Sequence, residues 1–212
     1  MFIIPVAMIL LCRFGISRLS DVVPILRDYY WMIVAVFTCI AASTPAYLMG
    51  FILLDERDEN VHTILKILPL PENFVLKCRV GFMVLLGLLF SILILLFNGL
   101  IFLSFINIIL ASILFSLIPP ILTFAIVSFS KNKIEAVTMY KGLNSFLVIP
   151  LAAFFIPFAW KYAFGIIPFF WTFNSIQIME NNKPVIISFL IGIVVHLIFI
   201  IFLYRIYNRK VV

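Results

Sequence analysis

Two long stretches without a charged side chain constrain this chain more than any other feature. Tyr29 to Leu54 contains 26 residues and Val80 to Ser130 contains 51, and neither stretch has an Asp, Glu, Lys or Arg. One helical crossing of a bilayer core needs about 20 apolar residues, so the longer stretch can cross twice. With 65% hydrophobic and 11% charged residues, the chain would expose too much apolar surface as a soluble globule. The sequence therefore predicts an all-α, polytopic membrane protein.

The number of crossings follows from the lengths of the uncharged stretches. The 51-residue stretch is expected to hold two crossings joined by a turn at Asn98-Gly99. Gly142 to Trp160 and Pro184 to Tyr204 are two further candidates. With a crossing at the N-terminus, these stretches predict a bundle of about six spans in one transmembrane domain, residues 1–212.

The first crossing is expected to be short. Met1 to Cys12 is an apolar run of 12 residues that ends at Arg13. A helix of this length measures about 18 Å, against a hydrocarbon core of about 30 Å. No basic residue precedes the run, which is not the pattern of a cleaved signal peptide. We therefore expect a first span that is short or truncated, with its beginning encoded upstream of Met1.

Basic residues predict the orientation of the spans. Ten of the fifteen lie in a loop at 55–79, a loop at 131–141 and the tail after Tyr204, and the positive-inside rule assigns all three regions to the cytoplasm. This assignment requires that the uncharged segment from Tyr162 to Met179 does not cross fully. We therefore predict a re-entrant or interfacial hairpin on the outer side at residues 161–183. Non-helical backbone at membrane depth is tolerated only where protein or water covers it, so we expect this hairpin to pack inside the bundle or to cap a cavity.

Few polar groups lie inside the predicted spans. None of the spans has an Asp, Glu, Lys or Arg, which excludes the buried charges that ion-driven carriers and voltage sensors generally need. His196 in the last span has two interpretations, a substrate contact on a transport path or a hydrogen-bonded packing residue.

The span from Tyr29 to Leu54 contains a stripe of small residues spaced four apart: Thr38, Ala42, Ala46 and Gly50. Another helix can approach closely along it, as a dimer seam or within the subunit.

Residues with metal or redox chemistry do not form a recognisable pattern. Cys12, Cys39 and Cys78 have no Cys-x-x-Cys spacing and no neighbouring histidine cluster. The net charge of +6 is scattered over the loops, unlike the basic patch of a nucleic-acid binder. The sequence therefore predicts no catalytic residue, no cofactor, no metal and no nucleic-acid partner.

A charged segment follows the first long stretch. Asp55-Glu56-Arg57-Asp58-Glu59 carries four acids and one base. The apolar positions beyond it have the i, i+3, i+4, i+7 spacing of one helical face, and Pro69 stops the helix: Val61, Ile64, Leu65 and Leu68. An acidic tip binds poorly to an anionic lipid leaflet. The segment is therefore predicted to be a helix on the membrane face whose charged tip contacts a protein.

Two segments resemble the permease subunits of bacterial type-2 ATP-binding-cassette (ABC) exporters, which include drug and antibiotic exporters. The family has a Glu-Arg/Lys-Glu-Glu cluster after its second span, followed by Gly-Thr-Leu, a later Leu and Thr/Ser-Pro. The matching positions here are Glu56, Arg57, Asp58, Glu59, Leu65 and Pro69, whereas Asn60, Val61, His62 and Leu68 depart from the pattern. Pro150 to Trp171 resembles the outer re-entrant hairpin of the family, and the likeness covers nearly the whole chain from Tyr29 onward.

The resemblance implies a transport subunit without its own ATPase site. Residues 55–69 would form the coupling helix that docks on a nucleotide-binding subunit, which would bind ATP and Mg²⁺. This chain has no Gly-x-x-x-x-Gly-Lys-Ser/Thr phosphate loop. The resemblance also implies a second permease copy or a homologous permease, a bacterial cell membrane with the C-terminus in the cytoplasm, and outward movement of a small amphipathic molecule or drug.

Two other classes of protein stay open. A non-transporting membrane protein that confers immunity or scaffolds a complex would have the same spans. An intramembrane enzyme would need paired carboxylates, metal-spaced histidines or an activated nucleophile. Asp55, Asp58 and Glu59 are the acidic group with the chemistry to hold Mg²⁺. Co-purification of an ATPase subunit would separate the exporter from both alternatives.

Overall fold

The computed structural model describes residues 1–59, 61 and 74–211, and every regular element within them is a helix. Six segments of this part are long and apolar enough to cross a membrane: Ile3–Val22, Pro24–Asp58, Phe74–Phe97, Phe105–Phe129, Lys133–Phe155 and Ile186–Lys210. The all-α fold with six spans, predicted from the sequence, is confirmed.

The described part of the chain contains helices on both sides of residues 60–73. In chain order they are α1 (Ile3–Leu10), α2 (Ser17–Val22), α3 (Tyr30–Asp58), α4 (Phe74–Phe97), α5 (Phe105–Ser116), α6 (Ile118–Phe129), α7 (Lys133–Val148), α8 (Phe158–Lys161), α9 (Pro168–Glu180) and α10 (Ile186–Val211). A π-helical segment, Leu11–Ile16, joins α1 to α2, and 3-10 helices occupy Pro24–Tyr29, Ile149–Phe155 and Tyr162–Ile166.

Helix α3 and the pair α5–α6 form the centre of the bundle. Helix α3 packs against α4 and α6, and α6 packs against α10 on its other side. Outer helices α4 and α10 keep many apolar side chains exposed, among them Leu85, Ile187 and Ile198. These exposed side chains are the surface that bilayer lipid would cover, since an apolar helix face is compatible with hydrocarbon.

A break between α5 and α6 brings α4 close to the centre. Pro119 and Pro120 lie in the first turn of α6, where a missing backbone N–H is tolerated. Gly87 of α4 faces this break: a Cβ added there would lie 3.1 Å from Pro119 Cγ and 3.2 Å from Ser116 Cα. The absence of a side chain at Gly87 is therefore what allows α4 to approach the break.

The turn predicted inside the 51-residue stretch is confirmed. Asn98 follows the end of α4, and its Oδ1 accepts hydrogen bonds from the backbone N–H groups of Leu100 (2.8 Å) and Ile101 (2.9 Å). Gly99 has a φ of +70°, a conformation in which a side chain would be strained. The Asn-Gly pair thus ends α4 and starts the return toward α5.

The helix of the first span is longer than the apolar run predicted from the sequence. It continues past Arg13 through the π-helical segment to Val22, over 20 residues. The ring of Phe2 lies 5.3 Å from that of Phe90, and Arg13 lies beside Gly99. Only the apolar run therefore packs along α4, whereas exposed Arg13 lies level with the turn after α4, where its charge can reach water.

Two segments predicted as loop and hairpin are mostly helical. In the predicted loop at 131–141, α7 begins at Lys133 because Asn132 caps it. The Oδ1 atom of Asn132 accepts a hydrogen bond from the backbone N–H of Glu135 at 2.9 Å.

In the predicted hairpin at 161–183, α9 has 13 residues, which are too few for a crossing. Its buried side chains pack against α10 and α3. The outer location of this hairpin stays a prediction.

Candidate functional site

The directions of the helices define two ends of the bundle. At one end, the C-terminal ends of α3, α6 and α10 meet the N-terminal ends of α4 and α7. We call this the charged end because it contains Asp55, Glu56, Arg57, Arg79 and Lys133. The opposite end of the bundle contains the N-terminal end of α10. The two ends are separated by the length of this helix, whose 26 residues measure about 39 Å.

The charged segment predicted as the tip of a coupling helix continues the spanning helix α3. This helix ends at Asp58, and the backbone N–H of Glu59 still donates to the carbonyl oxygen of Asp55 at 2.9 Å. Residues 55–58 therefore form the last turn of a spanning helix. Leu65 and Pro69 of the predicted coupling helix lie outside the described residues.

Arg57 caps the C-terminal end of α6. Its Nη1 donates to the carbonyl oxygen of Ser130 at 2.8 Å, and its Nη2 donates to the carbonyl oxygen of Lys131 at 2.7 Å. The last carbonyl groups of a helix lack intrahelical donors, so a fixed cation there satisfies them and also interacts favourably with the helix dipole. Arg57 thus joins the end of α3 to the end of α6.

Glu56 joins α3 to α4. Both of its carboxylate oxygens accept hydrogen bonds from Arg79, one from each terminal guanidinium nitrogen. The side chains are only 15% and 21% exposed, respectively. A two-point contact fixes the angle between two planar groups as well as their distance, so the two helix ends are held in one relative orientation.

Two further contacts extend the network. Lys133 Nζ lies 2.6 Å from Asp55 Oδ1, which connects α3 to the start of α7. Lys210 Nζ donates to the carbonyl oxygen of Ser128 at 3.3 Å and lies 4.5 Å from the centre of the Phe129 ring. The end of α3 is therefore joined to α4, α6 and α7, and α10 is joined to α6.

Asp58 and Glu59 are the acids of this segment that remain available to a partner. Both are exposed. Asp58 accepts from the adjacent Arg57 at 3.2 Å, and no hydrogen bond or ion pair joins the Glu59 side chain to the described residues. Within the described part of the chain, no three acidic, His or Cys side chains are arranged to hold a metal ion, so Asp55, Asp58 and Glu59 do not form a Mg²⁺ site there.

The stripe of small residues on α3 faces helices of the same chain. Thr38, Ala42, Ala46 and Gly50 are all buried. The Thr123 hydroxyl donates to the carbonyl oxygen of Ala46 at 3.3 Å, and a Cβ on Gly50 would lie 3.4 Å from Ile126 Cγ2. The carbonyl oxygen of Ala42 lies 3.6 Å from where a Cβ on Gly87 would stand. The structure thus places the stripe against α4 and α6 within the subunit.

His196 is enclosed between α10 and α9. Its Nδ1 donates to the carbonyl oxygen of Gly192 at 2.7 Å, one turn earlier in the helix, and its ring lies 6.4 Å from that of Phe169. The side chain is fully buried, and its Nε2 has no hydrogen-bond partner among the described residues. His196 is therefore packed against α9 in this structure, and its role as a substrate contact stays a prediction.

Sequence reasoning missed the residues that complete the charged end. From the sequence, Arg79, Lys133 and Lys210 predict only the orientation of the spans, yet in the structure each contacts another helix. Their positions near helix ends indicate such contacts, because a long basic side chain there can reach carbonyl groups or acids of neighbouring helices. The identity of each partner could not be read from spacing, since the contacts join separate helices.

Comparison with known proteins gives one positive finding. A family model described as "Fluoroquinolones export permease protein Rv2686c-like" matches residues 1–204. This range contains five of the candidate spans and most of the sixth. Comparisons with curated proteins and with solved structures each gave no match.

Proposed function

We propose a transport function from one premise: the chain belongs to the Rv2686c-like fluoroquinolone export permease family. It is a multi-pass membrane protein and a transport subunit rather than an enzyme. Its proposed role is the transmembrane subunit of an ATP-driven exporter that moves a small amphipathic molecule of the fluoroquinolone type outward. A separate ABC ATPase subunit binds ATP and Mg²⁺ and supplies the energy.

The contact network at the charged end is the observation that supports energy coupling. Arg57, Glu56 and Asp55 lie in one helical turn and contact three different helices. Residues 59–73 follow this turn directly, so a displacement applied to them by a docked ATPase would move the end of α3. Because packed helices move largely as rigid units, the network would pass that displacement to α4, α6 and α7.

The distribution of charge supports a cytoplasmic charged end. Arg57, Arg79, Lys133 and Lys210 lie together there. Positive residues beside spans are retained on the cytoplasmic side of a membrane. The proposed location is the bacterial cell membrane, with the C-terminal end of α10 on the same side as the proposed ATPase. The second permease, a copy of this chain or a homologue, is proposed from the resemblance to type-2 exporters.

Co-purification tests the coupling role directly. The tagged full chain is expressed with its candidate ATPase subunit, and the bound ATPase is measured after affinity purification. Replacing both exposed acids, Asp58→Lys with Glu59→Lys, should abolish ATPase binding and raise norfloxacin accumulation in cells to the level of the empty vector. Among the described residues these two side chains contact no other helix, so membrane insertion should be unchanged.

A matched control lies at the other end of α3. Asp28 is also an exposed acid, and Asp28→Lys should leave both ATPase binding and norfloxacin accumulation as in the wild type. Unchanged ATPase binding in the double variant would contradict the coupling role. If the wild-type chain binds no ATPase at all, a non-transporting immunity or scaffold protein would be favoured.

A further inference from the structure

A cavity of about 550 Å³ lies at the end of the bundle opposite the charged end. Its walls come from the 3-10 helix Ile149–Phe155, from α8, from the second half of α9 and from the connection to α10. Cavities of 300–1,000 Å³ are the usual size for small-molecule sites. The cavity lies within the segment that the sequence predicts to be on the outer side.

One wall of the cavity contains a cation without a counter-charge. Lys161 is half-buried there, its Nζ donates to Gln177 Oε1 at 2.7 Å, and no carboxylate of the described residues lies within ion-pair distance. Burial lowers the pKa of Lys161. The Lys161 ammonium also lies 4.3 Å from the centre of the Phe154 ring, a cation–π contact that offsets part of the cost of burying its charge. An ammonium group has three N–H donors and Gln177 takes one, so a donor remains for an anion, which would offset more of that cost. Lys183 adds a second, exposed cation at the rim.

Another wall contains a buried acceptor without a donor. Asn174 is 1% exposed, and its Nδ2 donates to Ser188 Oγ at 2.9 Å. Its Oδ1 has no hydrogen-bond partner among the described residues. A buried carbonyl oxygen without a donor costs about 1–3 kcal/mol, so the position favours a ligand that brings an N–H group.

The remaining walls are apolar and suit a flat ring. Ile156 and Ile178 line the cavity together with Phe154. The Phe154 ring is fixed by stacking on Phe170, at 5.8 Å between centres, by an edge contact with Trp31 at 4.9 Å, and by Lys161 Nζ at 4.3 Å from its centre. A wall held by such contacts changes little on binding, which lowers the entropic cost of holding a ligand.

We propose that this cavity binds an aromatic zwitterion, with its carboxylate on Lys161, its protonated amine on Asn174 Oδ1 and its ring between the apolar walls. The inference rests on the proposed function, because a fluoroquinolone carries a carboxylate and a protonated amine on an aromatic core. It assigns substrate recognition to the end of the molecule away from the proposed ATPase, which is the end from which an exported molecule leaves.

The test measures binding of norfloxacin by its fluorescence anisotropy to the purified full chain in phosphatidylcholine nanodiscs. The methyl ester of norfloxacin, which lacks the carboxylate, is the matched probe. Lys161→Gln should weaken norfloxacin binding about tenfold and leave ester binding unchanged, since one charge-assisted hydrogen bond is lost. Lys161→Arg should retain binding, and Lys141→Gln, at an exposed lysine outside the cavity, should behave as the wild type.

Three results would overturn the inference: no norfloxacin binding to the wild type, equal binding by Lys161→Gln and Lys141→Gln, or an equal loss of acid and ester binding in Lys161→Gln. A lipid headgroup is the competing anion. Phosphatidylglycerol retained by the wild type but not by Lys161→Gln, without norfloxacin binding, would assign the cavity to lipid. ATPase co-purification from the same preparation separates this outcome from failure of the proposed function, since either result can occur without the other.

Discussion

Glu56 and Arg79 form a two-point ion pair between the last turn of α3 and the first turns of α4. The pair is mostly shielded from solvent, and its two residues lie on either side of residues 60–73 in the sequence. Because its partners are in different helices, it fixes the ends of α3 and α4 against each other. Its strength therefore decides how firmly a displacement of one helix end is passed to the other.

Removing one partner of this pair should destabilise the protein. Glu56→Gln and Arg79→Gln should each lower the free energy of unfolding by about 2–4 kcal/mol, because the remaining charge is left mostly buried. The double variant should lose less than the sum of the two, with an interaction energy of about 1–2 kcal/mol. Equilibrium unfolding in mixed micelles measures this cycle. Arg27→Gln, which breaks an exposed pair with Asp21, should change stability by less than about 1 kcal/mol.

Replacing Arg57 should loosen the end of α6. Arg57→Gln loses the cationic cap on the Ser130 and Lys131 carbonyl oxygens, and the expected loss is about 2–3 kcal/mol of unfolding free energy. Arg57→Lys keeps the charge but lacks the fork that reaches both oxygens, so an intermediate loss is expected. Amide hydrogen exchange should become faster in residues 126–131. Equal stability of wild type and Arg57→Gln would show that the cap contributes nothing.

Two glycines of α4 should respond oppositely to a methyl group. Gly87→Ala places a Cβ 3.1 Å from Pro119 Cγ, and the overpacking should lower stability by about 1–3 kcal/mol. At Gly81 no atom of the described residues lies within 4 Å of an added Cβ, so Gly81→Ala should stabilise the helix by up to about 1 kcal/mol. Thermal unfolding of the two variants checks the sign. A Gly87→Ala variant as stable as Gly81→Ala would contradict the close approach of α4.

Glu180 near the end of α9 should make stability depend on pH. Burial raises the pKa of its carboxyl in the folded protein, so the folded state binds this proton more tightly than the unfolded state. The stability that protonated Glu180 contributes is fully present below the pKa of its carboxyl in the unfolded chain. It is lost as the pH rises through the pKa of the same carboxyl in the folded protein. Glu180→Gln should therefore raise the melting temperature at pH 7 and leave it nearly unchanged at pH 4. An equal change at both values would exclude the titration of Glu180 as the cause.

Cysteine labelling should reveal which end faces the cytoplasm. Cys78 at the charged end is exposed, whereas Cys12 and Cys39 are buried and should not react. A membrane-impermeant maleimide should label a Lys183→Cys variant in intact cells, and it should label Cys78 only after permeabilisation. The parent protein without the new cysteine is the control. Labelling of Cys78 in intact cells would reverse the predicted orientation.

The class of protein, the number of spans and the turn at Asn98-Gly99 could all be predicted from the amino-acid sequence. Each of these depends on local properties. Apolar length and the rise of a helix decide whether a segment can cross a bilayer, and Asn98 and Gly99 make their turn with adjacent residues. The family resemblance seen in the charged segment agrees with the family model that matches the chain.

Which helices meet, and what each charged residue contacts, could be seen only in the folded protein. Glu56 and Arg79 are 23 residues apart, and Arg57 and Ser130 are 73 apart, so no spacing rule relates them. Span helices are apolar on every face, so the sequence does not say that the Thr38 stripe meets α4 and α6. The cavity at Lys161 and Asn174 likewise needs α8, α9 and the start of α10 to come together. Helix packing, and not hydrophobicity, selects among these arrangements, because lipid and protein interior are equally apolar surroundings for such a helix.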